Sequence, residues 1–271
     1  MKARVVVGIL LIVVSVFILG VYYSLRWRPL LTPASPLDAY PVLPHHDDTL
    51  RVIMLGDSWA MLQSWAVEDK VMADAISNQI KKPVKFVSQG CDGANSKEIY
   101  FSLFQEKCEV SRNCWQALVE DAPDYCIIIV GINDAIELYG FSYYCNNYGL
   151  IVRHLLKCGI CPVIVEIPDV NLGLVRNRLS IKERICGMYR SFLTSASMLD
   201  VSEYREKWLS CLIRDGMMDS VLYISREKWN VLGYMETSLY RADMCHLSKR
   251  GYCRLDSCIV SELSNDYFRR K

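Results

Sequence analysis

The chain opens on an unbroken apolar run. From Val5 to Leu25, 21 residues carry no charge. Wound as a helix, the run has no polar face and is long enough to cross a bilayer. Lys2 and Arg4 precede it, and Arg26 and Arg28 follow. These charges nearly balance, and the terminal amine tips the orientation toward a cytoplasmic N-terminus with the rest of the chain outside. No small-x-small cleavage pattern follows the run, so it reads as an uncleaved single-pass anchor rather than a removed signal peptide. From Arg51 onward the pattern changes to short apolar runs alternating with longer amphipathic stretches. Strands are predicted at Val52–Leu55, Val84–Val87, Tyr125–Val130, Pro162–Ile167 and Val221–Ile224. Helices are predicted at Trp59–Ile80, Ser96–Cys108, Tyr144–Lys157, Ile181–Met198 and Lys249–Leu263. The continuous apolar run Tyr125–Val130 is typical of a central strand buried on both faces. Alternation of this kind predicts an α/β domain with a mostly parallel sheet covered on both sides. Residues 202–240 do not resolve into clear periodic elements; their Trp and Tyr residues are read chiefly as core.

Between these regions lies a segment of different composition. Five of the nine prolines fall in residues 26–48: Pro29, Pro33, Pro36, Pro41 and Pro44. Such a segment is extended and semi-rigid, and is expected to hold the following domain off the membrane. The predicted organisation is a cytoplasmic tip and anchor at 1–25, a linker at 26–48 and an α/β domain at 49–271. The length of 271 residues leaves enough chain for one α/β core. Net charge of +1 gives no indication of a nucleic-acid partner. The 12 cysteines permit disulfides outside the cytoplasm, with Cys108 and Cys114 as a local candidate pair and Cys126 as a packed thiol. Free thiols in a cytoplasmic domain are the alternative.

Several polar residues fall immediately after predicted strands, where open parallel sheets bind ligands. Gly56-Asp57-Ser58 follows the first strand. Serine is a favoured helix N-cap, so Ser58 alone indicates only a helix start. Asp243 and His246 lie three residues apart before the last helix. A serine nucleophile needs a base for its proton, and the base needs a partner to hold its tautomer. Gly131-Ile132-Asn133-Asp134 follows the buried strand at 125–130, and Gln89-Gly90-Cys91-Asp92-Gly93-Ala94-Asn95-Ser96 follows the strand at 84–87.

These four blocks, in this order, resemble the SGNH (GDSL) hydrolase family over about residues 50–265. The resemblance implies a three-layer α/β/α sandwich, flavodoxin-like, with Ser58, His246 and Asp243 as catalytic residues. It assigns the oxyanion hole to the backbone N–H groups of Ser58 and Gly93 and to the side-chain amide of Asn133. Where the family pattern often opens its second block with Asn, this chain has Ser88-Gln89-Gly90, so Gly90 competes with Gly93 for that role. Trp59, directly after the nucleophile, is expected to wall the pocket. Asp57 and Asp134 read as turn or supporting residues.

Three other features carry weaker chemistry. His45-His46-Asp47-Asp48 lacks the spacing that fixes a metal geometry. Cys158-Gly159-Ile160-Cys161-Pro162 has the form of a redox motif. Such a motif opens a helix, whereas this one follows a helix and enters a strand. His154, in an apolar helical stretch, reads as structural. The expected function is a membrane-tethered serine esterase without metal or organic cofactor. Its substrate is an acylated carbohydrate or lipid ester, with O-acetyl groups on a carbohydrate preferred. An acyltransferase with the same triad, or a non-catalytic binding or assembly protein on the same scaffold, are the alternatives. The catalytic domain is expected to be periplasmic or at the cell surface.

Overall fold

The structure, a computed structural model, describes residues 2–104, 114–194 and 201–271, with backbone alone at 2–5, 21 and 23–30. Its elements in chain order are α1 (Lys2–Leu31), β1 (Leu50–Gly56), α2 (Ser58–Ala66), α3 (Asp69–Ile80), β2 (Val84–Gly90), α4 (Ser96–Ser102), α5 (Cys114–Asp121) and β3 (Tyr125–Ile129). There follow α6 (Ile132–Ile136), α7 (Phe141–Lys157), β4 (Cys161–Val165), α8 (Leu172–Asn177), α9 (Ile181–Thr194), α10 (Ser202–Arg214), β5 (Leu222–Ile224) and α11 (Lys249–Arg270).

The five strands form one parallel sheet in the order β2-β1-β3-β4-β5. Every residue of β3 is buried, as its apolar run predicts. The helices pack into two groups, α2 with α3 and α11, and α4 with α7 and α10. In the second group Tyr148 of α7 stacks on Trp208 of α10 with ring centroids 4.3 Å apart. The strand order reverses between β1 and β3, and the crevice at such a switch point is where parallel sheets place their ligands.

One predicted helix and one stretch left without periodic elements differ from expectation in instructive ways. The stretch 59–80 divides, because Val67 and Glu68 are extended and α3 starts afresh at Asp69. Within 202–240 the chain forms α10, whose buried Tyr204, Trp208 and Leu212 repeat every four residues. Cys108, the distal end of the predicted 96–108 helix and residues 195–198 of the predicted 181–198 helix lie outside the described residues.

The N-terminal segment departs further from expectation. Helix α1 continues past Leu25 to Leu31, through Pro29, and stops where Thr32 precedes Pro33, a position that disfavours helix. The Pro-rich chain beyond it is not a free spacer but lies along the domain. Buried Ala34 donates its N–H to Asn147 Oδ1 (2.8 Å) and accepts at its carbonyl from Asn146 Nδ2 (3.1 Å). Leu37 N–H donates to Tyr100 Oη at 2.8 Å, and Tyr40 Oη donates to the Leu103 carbonyl at 2.7 Å. Proline cannot donate, so a Pro-rich strand docks through the few N–H and C=O groups it retains and through side chains. Among the described residues no helix is long and apolar enough to cross a membrane. The side chains of α1 are described at Val6–Gly20, Tyr22 and Leu31, and the large apolar ones from Val6 to Leu19 are exposed.

Candidate active site

Ser58 stands on the first residue of α2, directly beyond β1. The turn into it is tight. Asp57 N–H donates to the Ile129 carbonyl of β3 at 3.2 Å, and a Cβ on Gly56 would lie 1.9 Å from that same oxygen. Only glycine lets β1 and β3 approach so closely at this point. Asp57, not Ser58, is the N-cap: its Oδ1 accepts from Trp59 N–H at 2.9 Å. Capping by the preceding residue leaves the Ser58 hydroxyl available. That hydroxyl lies 2.9 Å from His246 Nε2, and His246 Nδ1 lies 2.8 Å from Asp243 Oδ2. A carboxylate can only accept, so Nδ1 carries the proton and Nε2 accepts from Ser58.

The loop that presents His246 is held by its own aspartate. Asp243 Oδ1 accepts from Cys245 N–H at 2.9 Å and from His246 N–H at 2.8 Å, while Oδ2 holds the imidazole. Met244 takes a left-handed conformation to permit this turn, with φ of 57°. Burial pushes the Asp243 carboxyl up, but the donors from Cys245 and His246 outweigh it and hold the group below its ordinary range. The loop is closed behind by an antiparallel bridge between Tyr240 and Leu247 and by α11, capped by Ser248. Gly251 is required there, since a Cβ would lie 2.2 Å from the Leu239 carbonyl.

The remaining predicted residues converge on the same cleft. Gly93, with φ of 69°, has nothing within 4 Å of where a Cβ would sit. Gly90 ends β2 inside the fold, where a Cβ would lie 2.2 Å from Met61 N and 2.5 Å from the Asp57 carbonyl. Gly90 is therefore a packing glycine, and Gly93 is the one that lines the cleft with Ser58, Asn133, Asp243 and His246. Asn133 Nδ2 donates to the Ala94 carbonyl at 2.9 Å, which orients its amide beside Gly93. The second hydrogen of that nitrogen is free of this bond, and the Ser58 N–H is among the first of a helix, which have no partner within it.

No protein-family model matches the sequence, and no curated protein matches it. Its three-dimensional form is similar to solved structures of ester hydrolases. The lipase/acylhydrolase from Enterococcus faecalis superposes with a TM-score of 0.53 at 17% identity, covering 80% of this chain and 96% of that one. The psychrotrophic esterase EstA from a Pseudoalteromonas species gives 0.53 at 11% identity, over 81% and 98% of the two chains. An acetyl xylan esterase gives 0.51 at 13% identity, over 78% and 98%. This chain has the SGNH-hydrolase fold.

Within that SGNH frame the two strand-end loops that carry Gly93 and Asn133 are clamped together by one side chain. Asp134 is fully buried, and its two oxygens accept from Ser96 N–H (2.9 Å) and Ser96 Oγ (2.6 Å). Desolvation raises its carboxyl to about 7, against the pull of the Ser96 hydrogen bonds. Asp57 is likewise raised by burial, to about 8. Trp59, next to Ser58, is buried against Trp229 with centroids 6.4 Å apart, and does not wall the pocket as expected. The cleft has a volume of about 1230 Å³, and its second wall comes from α8 and α9. Arg178, which the sequence did not single out, lines this wall and donates to the Ala242 carbonyl at 2.7 Å, just ahead of Asp243.

The other candidate groups do not reach the cleft. His45 lies 3.2 Å from both Asp47 and Asp124 and ties the end of the Pro-rich segment to β3. His154 packs against Tyr40 and Phe104, and burial, then Lys157, lower it to about 4, so the ring is neutral. Cys158 follows α7 and Cys161 opens β4. Burial raises both thiols, Cys161 to about 11, the opposite of what thiol exchange requires. Buried Cys126 is pushed well above its ordinary range by desolvation. Cys126, Cys158, Cys161 and Cys245 are free thiols, and the expected Cys108–Cys114 pair involves Cys108, which lies outside the described residues.

Proposed function

We propose that the protein is a serine esterase, held on a membrane by α1 with its catalytic domain on the outer side, and that it removes O-acetyl groups from a carbohydrate. The observation that carries the esterase reading is the unbroken relay Ser58–His246–Asp243, with contacts of 2.9 Å and 2.8 Å, opening into a cleft shared with Gly93 and Asn133. In this reading Ser58 Oγ attacks the ester carbonyl while His246 Nε2 takes its proton. Asp243 keeps the imidazole in the required tautomer and stabilises the imidazolium. The oxyanion meets the N–H groups of Ser58 and Gly93 and the amide of Asn133. Collapse expels the alcohol, which His246 protonates. Water, activated by the same base, then cleaves the acyl-Ser58 ester.

The carbohydrate reading is supported by the cleft's second wall and rim. Arg178, Lys182, Glu137 and Asp92 offer donors and acceptors suited to a polyhydroxylated ligand. The similarity in form to an acetyl xylan esterase accords with it. The anchor reading is supported by the continuous helix Lys2–Leu31 and its exposed apolar side chains.

Acetate release by the full-length chain from p-nitrophenyl acetate and from a panel of acetylated glycans tests the proposal. Ser58→Ala is expected to lower turnover by about 10⁶ with the fold intact. Phosphonate labelling of Ser58 without acetate release, together with acetyl transfer to an added sugar, would replace hydrolysis by acyl transfer. Neither release nor labelling from a folded protein would leave a non-catalytic binding protein.

A further inference from the structure

Helix α9 is amphipathic in the reverse of the usual sense. Its buried residues are Gly187 and Arg190. Its exposed residues include Ile181 (76%), Ile185 (61%), Met188 (61%) and Phe192 (82%). Steps of four, three and four place these four side chains in one stripe along the helix. The roll of the helix is fixed from inside. Arg190 pairs with Glu137 at 3.3 Å and donates from Nε to the Glu137 carbonyl, and a Cβ on Gly187 would meet the Arg176 guanidinium at 2.8 Å. The inward face is thus committed to a guanidinium and a glycine, and the stripe is held outward. In water this arrangement forfeits the burial of four large apolar side chains, which is why such a face ordinarily has an apolar partner.

The position of α9 names that partner. Tyr189 Oη donates to the Gly20 carbonyl of α1 at 2.9 Å, at the end of the exposed apolar stretch Val6–Leu19. Lys182 and Arg184, both exposed, flank the stripe and can reach anionic headgroups while their stems lie on apolar surface. We infer that the apolar stripe of α9 is seated in the surface of the bilayer that α1 crosses, so that the active-site cleft opens against membrane lipid. The inference rests on the anchor reading of α1. It deepens the proposed function by restricting the substrate to esters presented at a membrane, since Ile181 and Ile185 of the stripe also line the cleft.

The test uses the full-length chain in vesicles of phosphatidylethanolamine and phosphatidylglycerol, with Phe192→Trp or Met188→Trp as reporters and acyl chains brominated at shallow or deep positions as quenchers. The added tryptophan emission is expected to be blue-shifted and quenched chiefly by the shallow bromines. Carbonate extraction is run in parallel. A chain that resists extraction but whose added tryptophan emits as in water, or is shielded without bromine quenching, overturns the inference and leaves the anchor standing. A chain released by carbonate overturns the anchor and the inference with it. The double variant Met188→Asp, Phe192→Asp touches neither the triad nor the cleft lining. It is expected to keep its turnover of soluble p-nitrophenyl acetate and to lose about tenfold on a long-chain p-nitrophenyl ester dispersed in the vesicles. Equal activity of this variant on both substrates would also count against the seating of α9.

Discussion

The two walls of the cleft are built on opposite plans. The wall that carries Ser58, Gly93 and Asn133 stands on the ends of three adjacent strands; fully buried Asp134 ties two of its loops together through Ser96, and fully buried Asp57 caps α2 through Trp59. The facing wall is a six-residue helix and an amphipathic one, with exposed Ile181 and Ile185, and it is tied by guanidinium groups, Arg190 to Glu137 and Arg178 to the Ala242 carbonyl. In the proposed function the strand-end side carries the chemistry and the helical side the recognition. Catalytic groups lose rate steeply with small displacements, whereas a binding wall can exchange side chains at modest cost.

Substitutions should divide along the same line. The largest effect after loss of the nucleophile is expected for Asp243→Asn, which leaves the loop shape but presents His246 in the wrong tautomer. Its kcat should fall by about 10⁴, and steady-state kinetics with p-nitrophenyl acetate read it directly. Asn133→Ala removes one oxyanion donor and should cost about 10²–10³ in kcat with KM nearly unchanged. On the opposite wall, Arg178→Ala is expected to raise KM by about threefold to tenfold while kcat falls less, as loss of one exposed hydrogen bond implies. An equal fall in kcat would move Arg178 from recognition to positioning of the Asp243 loop.

The smallest effect concerns stability. Burial holds the Asp57 carboxyl up at about 8 and Asp134 up at about 7. An acid whose folded value is raised binds a proton that the unfolded chain has already released, so the folded state is favoured at low pH. That contribution is lost as pH rises from about 4 toward 8. Melting temperatures between pH 6 and 8 should therefore drift downward by about 2–4 °C per kcal/mol lost. Asp57→Asn, which keeps the acceptor for Trp59 N–H, should flatten the upper part of that drift. A slope unchanged in Asp57→Asn and in Asp134→Asn would show that these carboxyls are not its source.

The legibility of this chain in its sequence follows the range of the interactions. The strands were readable because each is a local apolar run. The candidate site is readable because Gly56-Asp57-Ser58, Gly93, Asn133, and Asp243 with His246 each sit at a strand end or in a short self-held loop. The structure brings Ser58, Gly93, Asn133, Asp243 and His246 to one cleft. The choice between Gly90 and Gly93 needed three dimensions, since only the packing of Gly90 against Met61 and Asp57 separates them. The docking of residues 32–48 was not readable, because its partners, Asn147 and Tyr100, lie far along the chain. Trp59 was misread because an aromatic beside a nucleophile looks like a pocket wall, whereas helix geometry turns it inward, onto Trp229. Helix α10 carried a readable four-residue period, obscured by the charged residues between its aromatic positions.

The docked Pro-rich segment has a mechanical consequence. Seventeen residues, 32–48, paid out as a slack leash would reach about 56–61 Å. Bound along α4 and α7, they pay out none of that length. An enzyme on a leash sweeps a volume and meets whatever diffuses through it. If α1 is the anchor proposed above, an active site on such a bracket works at one height and one tilt, like a tool clamped to a bench, and must have its material brought to that plane.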